Sequence, residues 1–243
     1  GFLVGTFICY VFPITKNHQW KIKNKPYFSI AFKYFLLGFG LILTSFFIPI
    51  YIALFLIWIG ISILIIGFGY LGLGATVFQK REDGMFTFAS MVLLFPYRKV
   101  SWLVRKLFFK TYLKPQKITD KLYLGSFQMS KTTNCEVIFD VCAEYSKANT
   151  KVTNYLSFPI LDFVPPSIEE LDFITKKLNN QIQNNETVFL HCALGLSRSV
   201  TIAMAWLLYS KKMMNLQEIN DFFNENNYTY HLSENHKNLL ENY

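Results

Sequence analysis

Charge is scarce in this chain. Asp, Glu, Lys and Arg make up 16% of its 243 residues, against about 25% in an ordinary soluble domain. Acid is almost missing from the first half: residues 1–111 hold 12 Lys and Arg against Glu82 and Asp83 alone, whereas residues 112–243 hold 12 against 14 acids. The net +8 therefore belongs to the apolar half. A nucleic-acid surface gathers cations on a polar face. Here they flank apolar runs, the placement that the positive-inside rule and anionic lipid surfaces favour. Membrane lipids are expected as partners, and nucleic acid is not. Cysteine is sparse as well. Cys9, Cys135, Cys142 and Cys192 form no CxxC and no zinc-like spacing. His18, His231 and His236 are scattered without a metal pattern. No metal and no cofactor are expected, and disulfides are not expected if the second half sits in a reducing cytosol. No cleavable signal peptide is evident. The chain starts at Gly1 rather than Met, as a fragment would.

What is abundant is apolar sequence. Residues 34–79 contain no charge at all. The most apolar part, 34–73, makes about 60 Å of helix at about 1.5 Å per residue, enough for two crossings of a hydrocarbon core about 30 Å thick. Pro49 falls where a turn is needed. This predicts a hairpin of spanning helices over 28–48 and 50–73, and no polar face argues for a soluble helix pair. Lys16, Lys21, Lys23 and Lys25 precede the hairpin, and Lys80 and Arg81 follow it. Both flanks are thus expected on the cytoplasmic side. Residues 1–15 are apolar but too short to span, and read as a helix end or an interfacial segment. In 97–110, Arg98, Lys99, Arg105, Lys106 and Lys110 gather on one side of a helical wheel. Val100, Leu103, Val104, Leu107 and Phe108 gather on the other. That is a basic amphipathic helix, either lying in a membrane interface or packed on the domain that follows.

After Lys114-Pro115 the texture changes. Residues 136–141 and 155–160 read as strands. Ser167 and Glu170 form a capping box opening a helix that runs to about Gln183. Residues 187–190 read as a strand, and 197–210, 216–226 and 233–241 as helices. The alternation predicts an α/β fold with a mostly parallel central sheet flanked by helices. The expected organisation is 1–27 apolar segment and basic loop, 28–74 hairpin, 75–115 juxtamembrane segment, and 116–243 catalytic domain.

The chemistry sits in His191-Cys192-Ala193-Leu194-Gly195-Leu196-Ser197-Arg198-Ser199, where a predicted strand ends and a helix begins. A loop in that position turns backbone N–H groups inward and makes a nest for an anion at the positive end of a helix. Such a nest also favours thiolate over thiol. Gly195 permits a tight turn. Arg198 offers a planar fork to two phosphate oxygens, which a lysine cannot match.

These residues resemble the HCxxxxxR signature of the protein tyrosine phosphatase superfamily, and its dual-specificity branch in particular, in which a Ser or Thr follows the Arg. The stretch ITDKLYLG at 118–125 resembles the opening of such domains, so the likeness covers about 116–243. The membrane half followed by this domain is similar to bacterial multi-span inner-membrane proteins that carry such a module. The resemblance implies a multi-pass membrane protein of the bacterial inner membrane with a cytoplasmic phosphatase domain. It implies a phosphocysteine formed on Cys192, an Asp that protonates the leaving oxygen and then activates water, a role for Ser199 in thiolate departure, and a role for His191 in orienting the loop. Residues 193–198 would hold the phosphate.

Asp162 is the expected acid. It lies 30 residues before Cys192, after a predicted strand and before Phe163-Val164-Pro165-Pro166. Glu169, Glu170 and Asp172 fall in the first turn of a helix, where carboxylates complement the dipole. Asp140 and Glu144 are read as structural, and Cys135 and Cys142 as core or loop residues. No loop position between Cys192 and Arg198 is basic, which disfavours a multiply phosphorylated headgroup. A phosphoprotein and a phospholipid monoester such as phosphatidylglycerophosphate both stay open. So do a phosphate-binding module without turnover and a mainly structural membrane protein.

Overall fold

The computed structural model describes residues 26–109, 114–152 and 154–243. The expectations for residues 1–25, including the basic flank before the hairpin, lie outside the described residues. The chain divides into two compact units. One ends at Val104, and the other runs from Arg105 to Tyr243 and takes in Glu82–Gly84.

The first unit is built on two long helices, α1 (Phe28–Ser45) and α2 (Ile50–Phe68), with Pro49 as the residue that caps α2. Proline suits this entry because its missing N–H is one the first helical turn leaves unpaired. Both helices are long and apolar enough to cross a membrane. Their facing seam is made of small residues at heptad spacing: Ala31, Gly38 and Ser45 on α1, and Ala53, Gly60 and Gly67 on α2 are buried. Large apolar side chains point outward instead, with Phe32 67%, Phe47 88% and Leu54 58% exposed. A water-soluble helix pair does the reverse, whereas close approach through small residues is what helices in lipid use. A Cβ on Gly60 would stand 2.7 Å from Ile42 Cγ1 and 2.9 Å from the Gly38 carbonyl oxygen, while one on Gly40 would meet nothing within 4 Å. Gly60→Ile is therefore expected to force the helices apart and destabilise the unit by about 1–3 kcal/mol, as overpacking does. Gly40→Ala should leave the melting temperature in detergent unchanged or slightly raised. Equal behaviour of the two variants would contradict this packing.

The second apolar helix was expected to reach Leu73, but its α-helical part stops at Phe68. The chain widens into a π turn over Gly69–Leu73 and tightens into a 3₁₀ turn over Gly74–Phe78. Gly72 and Gly74 take φ of +128° and +61°, which side chains resist, so a regular helix cannot continue. Helices α3 (Phe88–Leu93) and α4 (Phe95–Phe109) follow. On α4 the apolar row Val100, Leu103, Val104 and Leu107 is exposed, while Arg105 is buried against the rings of Phe127 and Tyr145.

The second unit is the expected α/β domain. Strands β1 (Gln116–Lys117), β2 (Leu122–Ser126), β3 (Val137–Cys142), β4 (Asn154–Ile160) and β5 (Val188–Cys192) form one sheet in the order β1-β2-β5-β3-β4. All neighbours are parallel except β1 with β2. Helices α5 (Ile168–Gln183), α6 (Arg198–Tyr209), α7 (Leu216–Glu225) and α8 (Glu234–Glu241) complete it. Every residue of β3 and β5 is buried, as expected for strands covered on both faces. Burying a Val, Leu, Ile or Phe contributes about 1.5–3 kcal/mol, and α6 adds Val200, Ile202, Met204, Trp206 and Leu207 to the same core. The Ser167–Glu170 capping box is present with both hydrogen bonds.

Candidate active site

β5 is the central strand, with β2 on one side and β3 on the other. It ends at Cys192, whose register partner on β2 is Ser126. The chain then turns through 193–197 and enters α6 at Arg198, one residue later than expected. The turn depends on Gly195, which has φ of +81°. A Cβ there would lie 2.7 Å from both the carbonyl carbon and oxygen of Gly125. The loop thus passes against the backbone of β2 at a distance only glycine allows.

This turn folds back on the sulfur. The Gly195 N–H donates to Cys192 Sγ at 3.2 Å, and the Ser199 hydroxyl donates to it at 3.4 Å. Both donors come from the segment that follows the sulfur in sequence and close over it. Cys142 lies in the same core, where burial, together with Glu144 and Asp140, pushes its thiol well above the ordinary range.

Arg198 is buried, and its fork is already held. Nη1 and Nη2 donate to the two oxygens of Glu144 at 2.8 and 2.7 Å, Nη1 also donates to the Ile160 carbonyl at 2.9 Å, and Nη2 lies 3.2 Å from Asp162 Oδ1. Burial opposes the charge, but Glu144 and Asp162 outweigh it and hold the guanidinium protonated. Its Nε is buried and makes no hydrogen bond with the described residues. A buried donor left unspent is suited to an oxyanion, since an unmet buried N–H costs about 1–3 kcal/mol.

Asp162 follows β4 on a turn whose next residue, Phe163, has φ of +60° and is 69% exposed. Its own side chain is 42% exposed. Desolvation in the cleft raises its carboxyl above the usual range; Arg198 pulls the other way and Glu144 raises it further. A carboxyl that holds its proton more tightly than usual, open to solvent and 3.2 Å from the arginine, has what a proton donor needs. The rival carboxylates are engaged elsewhere: Glu170 accepts from the Ser167 N–H and Asp172 pairs with Lys176. His191 is buried in β5, with Nδ1 3.4 Å from the Cys192 carbonyl oxygen.

Three features went unread in the sequence. Glu144, taken as structural, is the partner that orients Arg198. His236 is buried against the loop, with Nε2 3.4 Å from Ser197 Oγ. Asp140, Cys142 and His191 bring potential metal ligand atoms within 4.8 Å of one another, although no spacing announces it. Their cluster is already hydrogen-bonded: Asp140 accepts from the Cys142 N–H and from the Tyr155 hydroxyl.

The family model for the dual specificity phosphatase catalytic domain matches residues 122–243, half of the chain. The chain belongs to the dual specificity phosphatase family. Curated relatives of this phosphatase domain include the putative tyrosine phosphatase 123R of Invertebrate iridescent virus 6, 28% identical over 102 residues, which span 41% of this chain and 71% of that protein. The dual specificity protein phosphatase OPG106 of vaccinia virus is 28% identical over 103 residues, spanning 40% of this chain and 60% of that protein. Among solved structures, Tk-PTP in its active form is similar over 53% of this chain and 94% of its own, with 19% identity and a TM-score of 0.45. Human tyrosine phosphatase-like serine/threonine/tyrosine-interacting protein is similar over 53% and 94%, with 18% identity and a TM-score of 0.46. Membership places this chain among the cysteine-dependent phosphatases, the class its 191–199 motif resembles.

Proposed function

We propose that this chain is a membrane-anchored phosphomonoester hydrolase that works through a phosphocysteine on Cys192. The observation that carries the reading is a Cys192 sulfur held by the Gly195 and Ser199 donors, on a loop that leads directly into a buried Arg198 whose Nε makes no hydrogen bond among the described residues. In the first step Sγ attacks phosphorus and the bond to the leaving oxygen breaks, while the Asp162 proton passes to that oxygen. The loop amides of 193–197 and Arg198 stabilise the equatorial oxygens of the transition state. In the second step the Asp162 carboxylate takes a proton from water, whose oxygen attacks phosphorus. The P–S bond then breaks, and the Ser199 hydroxyl supports the departing thiolate. His191 helps to set the direction of the Cys192 carbonyl and so of the loop.

A multiply phosphorylated headgroup is disfavoured, because no residue of 193–197 adds a cation. The substrate is a phosphoprotein or a phospholipid monoester, and the exposed Phe163 ring beside Asp162 offers apolar surface to either leaving group. Anchoring is supported by the inside-out hairpin, with small residues in its seam and large apolar ones outside. The exposed apolar row on α4, a helix with no acidic residue, supports an interfacial role for that segment. A spanning hairpin returns the chain to the side it left, and the basic Lys80 and Arg81 after it support a phosphatase domain on the cytoplasmic side.

The full chain, purified in detergent, should hydrolyse para-nitrophenyl phosphate and yield an acid-stable phosphoenzyme on rapid quench. Well-folded, reduced protein that binds phosphate without turnover would instead be a binding module. In mixed micelles, comparing phosphatidylglycerophosphate with phosphotyrosine peptides separates the two substrate classes.

A further inference from the structure

The back of the phosphate loop is held by the C-terminal segment through two contacts on adjacent residues. The His231 backbone N–H donates to the Leu196 carbonyl at 2.8 Å. Two residues further on, the Ser233 hydroxyl lies 2.8 Å from His236 Nδ1, and His236 Nε2 lies 3.4 Å from the Ser197 hydroxyl. His236 is 1% exposed. Burial first, then the nearby Arg198 charge, lowers its pKa to about 4. The ring is therefore neutral in ordinary buffers, with one donor and one acceptor nitrogen. The two serines must bind it in complementary senses, one hydroxyl donating and the other accepting.

The consequence for the loop follows from peptide geometry. A trans peptide is planar, so the carbonyl of Leu196 and the N–H of Ser197 point in opposite directions. Holding that carbonyl toward the C-terminal segment turns the Ser197 N–H to the other side of the loop. The imidazole also ties up the Ser197 hydroxyl, which would otherwise be free to bond to nearby backbone and disturb the turn. The Ser197 carbonyl is engaged as well, accepting from the Thr201 N–H at 2.8 Å.

We propose that His236 is a positioning residue: with the His231 N–H it fixes the 196–197 peptide so that the Ser197 N–H serves as a preset oxyanion donor. It touches no reacting atom and acts only through Ser197. The inference rests on the phosphate-loop reading above and names the part of the chain that keeps the loop in its binding shape.

The test uses the full chain and orthovanadate, a mimic of the trigonal-bipyramidal phosphorus, with affinity read as protection of Cys192 from iodoacetamide. His236→Ala should weaken vanadate binding about tenfold, the worth of roughly one lost hydrogen bond. kcat/KM for para-nitrophenyl phosphate should fall in parallel. His236→Gln, which retains a donor and an acceptor, should recover part of the loss. Ser197→Ala keeps every backbone N–H and should reproduce the loss, and in the double variant the two losses should not add. If His236→Ala folds poorly, Ser197→Ala alone decides. Parent-like vanadate affinity in either folded variant, or a lowered melting temperature as the only change, would falsify the proposal. A parent protein that binds no vanadate would overturn the phosphatase reading itself, and this one with it.

Discussion

Cys192→Ser is expected to abolish turnover while leaving oxyanion binding intact. The proposed oxyanion donors are the loop amides and Arg198, none of which the substitution removes. What it removes is the nucleophile. A serine hydroxyl stays protonated near neutral pH, and the Ser199 hydroxyl in contact with position 192 acts as donor and not as base. The shorter C–O bond also draws the atom back from the Gly195 N–H, which lies 3.2 Å from sulfur in the native protein. Loss of an essential nucleophile costs on the order of 10⁴–10⁶-fold in rate. The measurement is para-nitrophenyl phosphate hydrolysis by the variant, set beside its affinity for vanadate or phosphate. Residual turnover of more than about one part in 10³ would point to a different nucleophile. Lost binding with lost turnover would mean that the loop had collapsed.

Asp162→Asn carries the next largest effect, a fall in kcat of about 10²–10⁴-fold. The leaving group reveals the role. An alkyl phosphate needs its departing oxygen protonated, whereas a phenolate bearing a nitro group leaves with little help. The loss should therefore be severe for a serine or glycerol phosphate and mild for para-nitrophenyl phosphate. The pH profile has a definite sign. Desolvation raises the Asp162 carboxyl despite the opposing pull of Arg198. The proton it must donate is thus present below that raised pKa and lost as pH climbs through it. In the parent, activity falls on the alkaline side as Asp162 ionises. In Asp162→Asn that descending limb disappears, leaving a lower and flatter curve. An unchanged alkaline limb would assign the proton to another group.

Much of this arrangement could be read in the chain. The hairpin declares itself by lacking charge over 34–79 and by Pro49 at its turn. Strand and helix ends in the second unit fall within a few residues of expectation, because the apolar runs are short and bounded. β5 runs two residues further than expected, to Cys192, since β2 lies beside it throughout and adds ladder bonds that the run 187–190 does not signal. β2 itself passes as a family motif rather than a strand: Leu122–Ser126 is only five residues long and contains Gly125. The roles of Glu144 and His236 were invisible for a different reason. Glu144 is 54 residues from Arg198 and His236 is 39 from Ser197. Only the folded sheet, which places the end of β3 beside the end of β5, and the return of α8 to the loop bring them together. A helical wheel separates basic from apolar on 97–110, yet it cannot tell that Arg105 would turn inward onto Phe127 and Tyr145.

The two proposed reacting groups stand on backbone of very different kinds. Cys192 closes a strand wedged between two others, whereas Asp162 and Phe163 ride on a solvent-facing turn. Moving the sulfur means rebuilding the sheet, but the exposed Phe163 side chain can be exchanged with almost no repacking. A substitution at the exposed Phe163 is thus expected to change leaving-group preference without disturbing the strand that carries the sulfur.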